Sequence, residues 1–227
     1  MRMLAVFCKG ERLRHIGHLD LMRAMQRALR RSGLPIRYSN GFNPHIRLSF
    51  AAPLSVGVVG LRELMEVPLE DGVSEQAFQD SMNAVLPDCL RIRQCRALED
   101  SFPALMSLAA GSRYLIRFPR SAESDRAAAG FEAFMALEHY TAVRRTKSGE
   151  NSCDIRPFVT GGELRKGEDD WEIALETVST AAGSLKPSLW LDSLRAFTDA
   201  GEFPHIIYRT AILARTPEGT LVPMEEV

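Results

Sequence analysis

Residues 18–32 read HLDLMRAMQRALRRS and carry the most regular hydrophobic pattern of the chain. At 100° per residue, the apolar side chains share one arc, which holds Leu21, Met22, Met25, Ala28 and Leu29. The opposite side carries four arginines: Arg23, Arg27, Arg30 and Arg31. Gly33 follows directly and Pro35 lies beyond it, as is typical where a helix ends. The segment predicts an amphipathic helix with one face in a core and the other made of guanidinium groups.

Strands and a second helix are predicted on either side of this helix. Residues 4–7 read as a buried strand, and residues 47–53 and 64–68 as two more. Ser74 can cap a helix that runs to about Val85, and residues 90–97 alternate between apolar and polar. The order β-α-β-β-α-β is that of a ferredoxin-like fold.

The second half repeats the pattern. Strands are predicted at residues 114–118, at 141–146 or 155–159, and at 171–178 and 205–214. Helices are predicted at 122–137 and 186–200, the latter with Pro187 in its first turn, and the Gly- and charge-rich residues 148–170 as a mobile loop. The expected fold class is α+β, with two tandem ferredoxin-like (βαββαβ) lobes at residues 1–100 and 111–227.

Charge is distributed unevenly along the chain. Residues 1–50 contain ten Lys and Arg and two acids, a net +8, whereas the rest holds 18 basic and 27 acidic residues, a net −9. Such asymmetry concerns partners rather than fold. Arginine pairs with phosphate and stacks on bases, so the arginine face predicts binding to RNA or another polyanion. Two alternatives stay open: an acidic protein surface as partner, or pairing with acids of this chain, of which the nearest in sequence are Glu63, Glu66, Glu70 and Asp71.

The loop at residues 38–45, YSNGFNPH, combines turn-forming residues with two aromatics and a histidine. Tyr38 and Phe42 can stack on bases, and Asn43 and His45 can hydrogen-bond to base edges or phosphates. For Phe42 alone the sequence favours a simpler role, in which its ring fills the core while Asn40-Gly41 shapes a hairpin. The predicted nucleic-acid or partner-binding residues are Arg14, Arg23, Arg27, Arg30, Tyr38, Phe42, Asn43, His45 and Arg47.

Three histidines, His15, His18 and His45, invite a catalytic interpretation. Imidazole titrates near neutrality, so His18 and His45 are candidates for the acid and base of a metal-independent endoribonuclease. No carboxylate or thiol is placed to complete a metal motif around them. A histidine near a helix start is more often a structural hydrogen-bonding group, so His18 and His45 are catalytic candidates only, and no metal ligand is predicted.

Composition restricts where the chain is expected to work. The four cysteines, at positions 8, 89, 95 and 153, match neither a paired zinc motif nor a cluster-binding loop, so we expect free thiols. No apolar run approaches the roughly 20 residues that cross a bilayer, and the apolar stretch at the N-terminus is too short for a signal peptide. We therefore expect a cytoplasmic protein with no membrane contact.

Two long segments resemble a known family. Residues 14–23, RHIGHLDLMR, and 34–50, LPIRYSNGFNPHIRLSF, are similar to the radical-SAM-linked domain family of bacteria, as are residues 153–158, CDIRPF. The family usually has Ser where this chain has Gly17, and Pro where it has Ile46. Glycine caps a helix nearly as well as serine, so the helix should persist.

The resemblance implies a role beside a radical SAM enzyme. Such a partner would use an iron–sulfur cluster, S-adenosylmethionine and cobalamin, whereas this chain has no cluster-binding cysteine triad and is expected to bind no cofactor. The leading hypothesis is a non-catalytic accessory module that binds RNA or another polyanion. The alternatives are the histidine endoribonuclease and a pure protein-interaction subunit that docks on the radical SAM partner.

Overall fold

The computed structural model describes residues 1–146, 149–181 and 183–227. The chain divides into two compact units, with Met1–Ala109 and Arg209–Val227 in unit 1 and Ala110–Tyr208 in unit 2. The second lobe predicted from the sequence includes residues 209–227, which belong to unit 1 in the structure. None of the described helices has both the length and the apolar character needed to span a membrane.

Both units contain strands and helices. The strands are β1 (Arg2–Lys9), β2 (Ser49–Phe50), β3 (Val58–Pro68), β4 (Leu90–Leu98), β5 (Ala109–Pro119), β6 (Thr141–Thr146), β7 (Gly149–Asp154), β8 (Val159–Lys166), β9 (Asp170–Val178), β10 (Ile206–Arg215) and β11 (Leu221–Pro223). The helices are α1 (His18–Arg31), α2 (Glu75–Val85), α3 (Leu105–Leu108), α4 (Ala122–Ala129), α5 (Phe131–Met135) and α6 (Pro187–Phe197).

The sheet of unit 1 is centred on β1. This strand lies between β3 and β4 and is antiparallel to both, with Leu4 opposite Glu66 on one side and Arg96 on the other. Met3, Ala5 and Phe7 join the core under α1 and α2, while Leu4 and Val6 join a second core on the opposite face. Because side chains alternate between the faces of a strand, burial on both faces explains why β1 reads as a continuous apolar run.

Four elements of unit 1, β1, α1, α2 and β4, form where the sequence predicts them. α1 begins at His18 after the extended Gly17, and its buried residues are Leu21, Met25, Ala28 and Leu29. α2 is capped by Ser74, whose hydroxyl accepts from the Ala77 amide at 3.1 Å. The strand predicted at residues 47–53 is reduced to Ser49–Phe50, and β3 begins at Val58 rather than at residue 64.

Unit 2 contains the antiparallel strands β5, β9 and β8, with β6 and β7 as a separate hairpin. Its aromatic core includes Phe131, Phe134 and Trp190, whose rings meet edge to face. The helix predicted at residues 122–137 is broken at Gly130, and residues 156–158 form a 3₁₀ turn rather than a strand. The prediction of a loop at residues 148–170 is wrong over most of its length, because β7 and β8 lie there. Ser148 lies outside the described residues.

The chain is therefore a mixed α/β protein with a large sheet and several helices. Two tandem ferredoxin-like lobes are not established by this arrangement. The β6–β7 hairpin is inserted between α5 and β8, and β10 begins in unit 2 and ends in unit 1.

Candidate nucleic-acid interface

A buried lysine fixes the turn that leads into α1. Lys9, the last residue of β1, is only 1% exposed. Its Nζ donates to the carbonyl oxygens of Arg14 at 3.2 Å and Ile16 at 3.0 Å. Burial lowers the pKa of this ammonium group, while the nearby Glu63 carboxylate acts in the opposite direction. These bonds hold residues 14–16 in place, so that α1 starts at His18 although Gly17 offers no side-chain cap.

The acids that were considered as internal partners of the arginine face are engaged elsewhere. Glu63 is buried and accepts from Arg209 Nε at 2.8 Å. Glu66 pairs with Arg2 at 3.0 Å. Glu70 and Asp71 both lie near Arg37, at 3.4 and 3.8 Å. The structure therefore contradicts neutralisation of the α1 arginines by these four carboxylates.

The α1 arginines are exposed, and two of them stand free. Arg23 pairs with Asp20 at 3.1 Å, and Arg31 donates to the Val85 carbonyl at 2.9 Å. Across the part of the chain that the structure describes, Arg27 and Arg30 have neither a carboxylate within 4.0 Å nor a hydrogen bond from their side chains. Their charge is open to solvent.

The free positive charge is smaller than the composition implies. Arg2, Lys9 and Arg37 are held in internal contacts, so they contribute little to a binding face. Arg12 and Arg47 are exposed and Arg14 is half-buried, and none of the three has a carboxylate partner in the described ranges. Six arginines of residues 1–50 thus remain without an acid in the described ranges: Arg12, Arg14, Arg27, Arg30, Arg31 and Arg47.

The loop of residues 38–46, called here the site loop, is closed at its base. Tyr38 and Ile46 form an antiparallel bridge, and the Ser39 amide donates to the His45 carbonyl at 2.9 Å. The Ser39 hydroxyl accepts from the His45 amide at 3.0 Å and lies 2.7 Å from His45 Nδ1. Gly41, at φ +124°, makes the reversal at the tip in a conformation that L side chains rarely adopt. The loop is therefore tied locally at its two ends.

Phe42 at the tip of the site loop is fully exposed, at 106%. The prediction that its ring fills the core is wrong, because Ile46, four residues on, takes the core position and is 1% exposed. Tyr38 is 46% exposed, and Asn43 and His45 are also exposed. The loop presents two aromatic rings and two hydrogen-bonding side chains to solvent.

α1 and the site loop are neighbours. The Gln26 amide reaches the Ile46 carbonyl at 3.5 Å, and the His18 ring stacks edge to face on Phe50 at 5.4 Å. At 100° per residue, Arg30 and Arg23 lie on the same flank of α1 as Gln26. Arg27 and Arg31 line a groove on the other flank. The arginine face therefore has two sides, of which one adjoins the site loop.

The histidines have structural surroundings. His18 is half-buried against Phe50, and His45 is bonded to Ser39 through Nδ1. No hydrogen bond or ring contact joins His18 to His45 in the ranges described, and His15 is exposed. Within the described residues, no group of three or more His, Cys, Asp or Glu is placed to hold a metal ion.

The segment at residues 153–158 forms a clasp that the sequence did not reveal. Asp154 accepts from the amides of Tyr140 at 3.0 Å and Arg156 at 3.1 Å, and lies 2.7 Å from His139 Nδ1. These hydrogen bonds, that to His139 first, lower the pKa of Asp154 to about 2. Arg156 donates to the carbonyls of Leu137 and Met135 at 2.7 and 3.0 Å. The contacts tie β7 to the turn after α5.

Comparison with known proteins gives one family. Residues 2–187 match the family described as "Uncharacterized protein conserved in bacteria (DUF2344)", which covers well over half of the chain. The match includes α1, the site loop and the Asp154 clasp. No curated protein matches the sequence.

Proposed function

This chain belongs to the bacterial family DUF2344, and we propose that it is a non-catalytic module that binds RNA or a similar polyanion through unit 1. One observation carries the proposal. Arg27 and Arg30 are exposed on a well-packed helix without an acid partner in the described structure, and the helix adjoins a loop with a fully exposed Phe42.

The unpaired charge of the arginine face favours an anionic ligand. Arginines three or four residues apart on a helix repel one another by a few tenths of a kcal/mol per pair, so the face carries a small cost unless a ligand offsets it. Guanidinium groups pair with phosphate through two parallel hydrogen bonds and also stack on bases. Phosphates spaced along a nucleic-acid backbone match a row of such groups.

Each part of the surface has its own role in the proposal. Arg23, Arg30 and Arg47 contact phosphates, and Arg14 and Arg27 extend that contact along the unit. Tyr38 and Phe42 stack on unpaired bases, which side-chain rings bind with little sequence preference. Asn43 and His45 hydrogen-bond to base edges or phosphates. A single-stranded or looped RNA offers both features at once.

The resemblance of residues 14–23 and 34–50 to the radical-SAM-linked domain family supports a more specific proposal. In it, the module presents bound RNA to a radical SAM enzyme, which supplies the iron–sulfur cluster, S-adenosylmethionine and cobalamin. The accompanying structural proposal is that the chain consists of two ferredoxin-like lobes. It is supported by the strand–helix–strand–strand–helix–strand order of the first 98 residues. The neighbouring strands of their sheet also follow the spatial order β4-β1-β3.

Fluorescence anisotropy with fluorescein-labelled transfer RNA tests the proposal. Replacing both Arg30 and Arg47 with Gln removes two phosphate contacts, and we expect Kd to rise on the order of tenfold. Phe42→Ser should weaken binding to single-stranded oligouridylate because a stacked base loses about 1–3 kcal/mol.

Arg165→Gln is the matched control, since this exposed arginine of unit 2 is already paired with Glu163 at 2.7 Å. It should leave Kd unchanged. The proposal fails if the wild type does not bind RNA, or if the control loses as much affinity as the double variant.

The endoribonuclease alternative has a separate test. His18 packs on Phe50, and His45 is tied to Ser39 within the loop, so we expect labelled RNA to stay intact during incubation with the protein. Cleavage that disappears in His45→Ala would replace the binding proposal with the enzymatic one.

A further inference from the structure

A groove lies on the flank of α1 that faces away from the site loop. Its volume is about 250 Å³, smaller than the roughly 300–1,000 Å³ typical of small-molecule sites. The apolar lining comes from the turn before α1, from α1, from the end of α2 and from the start of β4. Its main members are Leu13, Ile16, Leu21, Ala24, Leu86 and Leu90. We call this feature the α1 groove.

Two cations complete the lining of the α1 groove. Arg27 and Arg31 are both exposed, and Arg31 is steadied by its hydrogen bond to the Val85 carbonyl at 2.9 Å. The nearby Asp88 is paired with Arg91, so it does not offset them. The groove therefore combines an aliphatic floor with a positive edge.

From this combination we infer that the α1 groove binds an amphipathic, acidic segment of a partner protein, whose aliphatic side chains fill the groove while its carboxylates meet Arg27 and Arg31. The occupant must be apolar where it is buried, because the floor offers no polar side chain as a hydrogen-bond partner. A nucleobase inserted there would leave ring nitrogen and oxygen atoms unpaired. An aliphatic side chain has no such cost, and a groove of this kind is typical of helix recognition.

The positive charge of Arg27 and Arg31 favours a partner segment with negative charge. Two copies of this chain that met through this groove by a twofold axis would place four guanidinium groups, Arg27 and Arg31 of each copy, in one interface, which like-charge repulsion disfavours. A partner with acidic residues beside its buried aliphatic side chains would instead form two ion pairs, one with Arg27 and one with Arg31. The inference does not rest on RNA binding, since the groove lies on the flank of α1 that faces away from the site loop; Arg27 is the residue that both proposals use.

Methyl NMR tests the inference with defined probes at up to millimolar concentration. One probe is a synthetic 14-residue helix with Leu at i, i+3, i+4 and i+7 and Glu on its other face, and the second has Lys in place of every Glu. We expect the acidic peptide to shift the methyl signals of Leu13, Ile16 and Leu90, with a Kd about fivefold lower than that of the lysine peptide. Ile116 in unit 2 should stay unshifted.

Two variants make the result specific. Ala24→Phe fills the groove and should abolish the peptide shifts while leaving the affinity for transfer RNA unchanged. Reversing the edge with Arg27→Glu and Arg31→Glu should invert the preference, so that the lysine peptide binds better.

Three results would overturn the inference: neither peptide shifts the groove methyls, both bind equally, or oligouridylate shifts the same methyls and displaces the acidic peptide. The last would assign the groove to nucleotides. Loss of RNA binding in Arg30→Gln with intact peptide binding would leave the groove standing, so the two proposals can fail separately.

Discussion

The structural role of Lys9 differs from the one that its charge indicates in the sequence. By composition it adds to the positive charge of residues 1–50, yet it is buried and its ammonium group serves two backbone carbonyls. Nothing in the local sequence marks those acceptors, because they come from a turn whose path is fixed only when β1 and α1 pack together. Phe42 is the reverse case: its hydrophobicity predicts burial, but the Tyr38–Ile46 bridge assigns the core position to Ile46.

Replacing Lys9 with Met tests its structural role. The side chains are similar in length, but Met leaves the carbonyls of Arg14 and Ile16 without their donor, so we expect a loss of about 2–4 kcal/mol in the free energy of unfolding by urea.

Because the folded pKa of Lys9 lies below its ordinary 10.5, the unfolded chain binds more protons between these values. The wild type should therefore gain stability relative to the variant as pH rises towards 10.5. Arg12→Met, at an exposed site, should stay within about 0.5 kcal/mol of the wild type, and equal losses in both variants would refute the role.

Asp154 gives a prediction in acid. Its pKa is about 2 in the folded chain against 3.8 for an ordinary aspartate, so its carboxylate contributes stability that is present above pH 3.8. That contribution is lost as pH falls from 3.8 towards 2. Thermal unfolding of the wild type and Asp154→Asn should give different Tm values at pH 7 and nearly equal values at pH 2. A difference that persists at pH 2 would show that the carboxylate charge is not the cause.

At the scale of elements, the sequence predicts long periodic helices well and short strands poorly. The apolar positions of α1 recur over four turns, so any secondary structure other than a helix would place many of its apolar residues on the exposed face. β2 has two residues, too few for an alternating pattern, and its position depends on pairing with β3. The β6–β7 hairpin was missed in part because the glycines and charges of the segment resemble those of a loop.

Gly130, which lies between α4 and α5, is required by close packing. A Cβ atom there would lie 2.3 Å from Thr198 Cγ2, although its φ of −91° suits any residue. Gly130→Ala should therefore destabilise the protein by about 1–3 kcal/mol in chemical denaturation. Thr198→Ser removes the methyl group and keeps the hydroxyl that donates to Leu194 O at 2.8 Å, so the double variant should regain at least half of the loss. Additive losses would mean that the methyl contact does not cause the destabilisation.

At the scale of the whole molecule, the charge asymmetry points to the correct region but overstates its strength. Ten basic residues lie in the first 50 positions. Arg2, Lys9 and Arg37 are held in internal contacts, and six of these ten residues are arginines with no acid partner in the described structure. Which charges are free depends on contacts far apart in sequence, such as that of Arg209 with Glu63, and no single-sequence pattern contains them.

The salt dependence of RNA binding tests the central claim most directly, since only contacts to phosphate release counterions. For labelled single-stranded RNA, log K plotted against log salt concentration should have a slope of about −2 to −4, as expected for three to five phosphate contacts. Combined replacement of Arg23, Arg30 and Arg47 by Gln should reduce that slope by about 2, or roughly 0.7 for each arginine. A slope near zero in the wild type, or the same slope in the triple variant, would contradict the account.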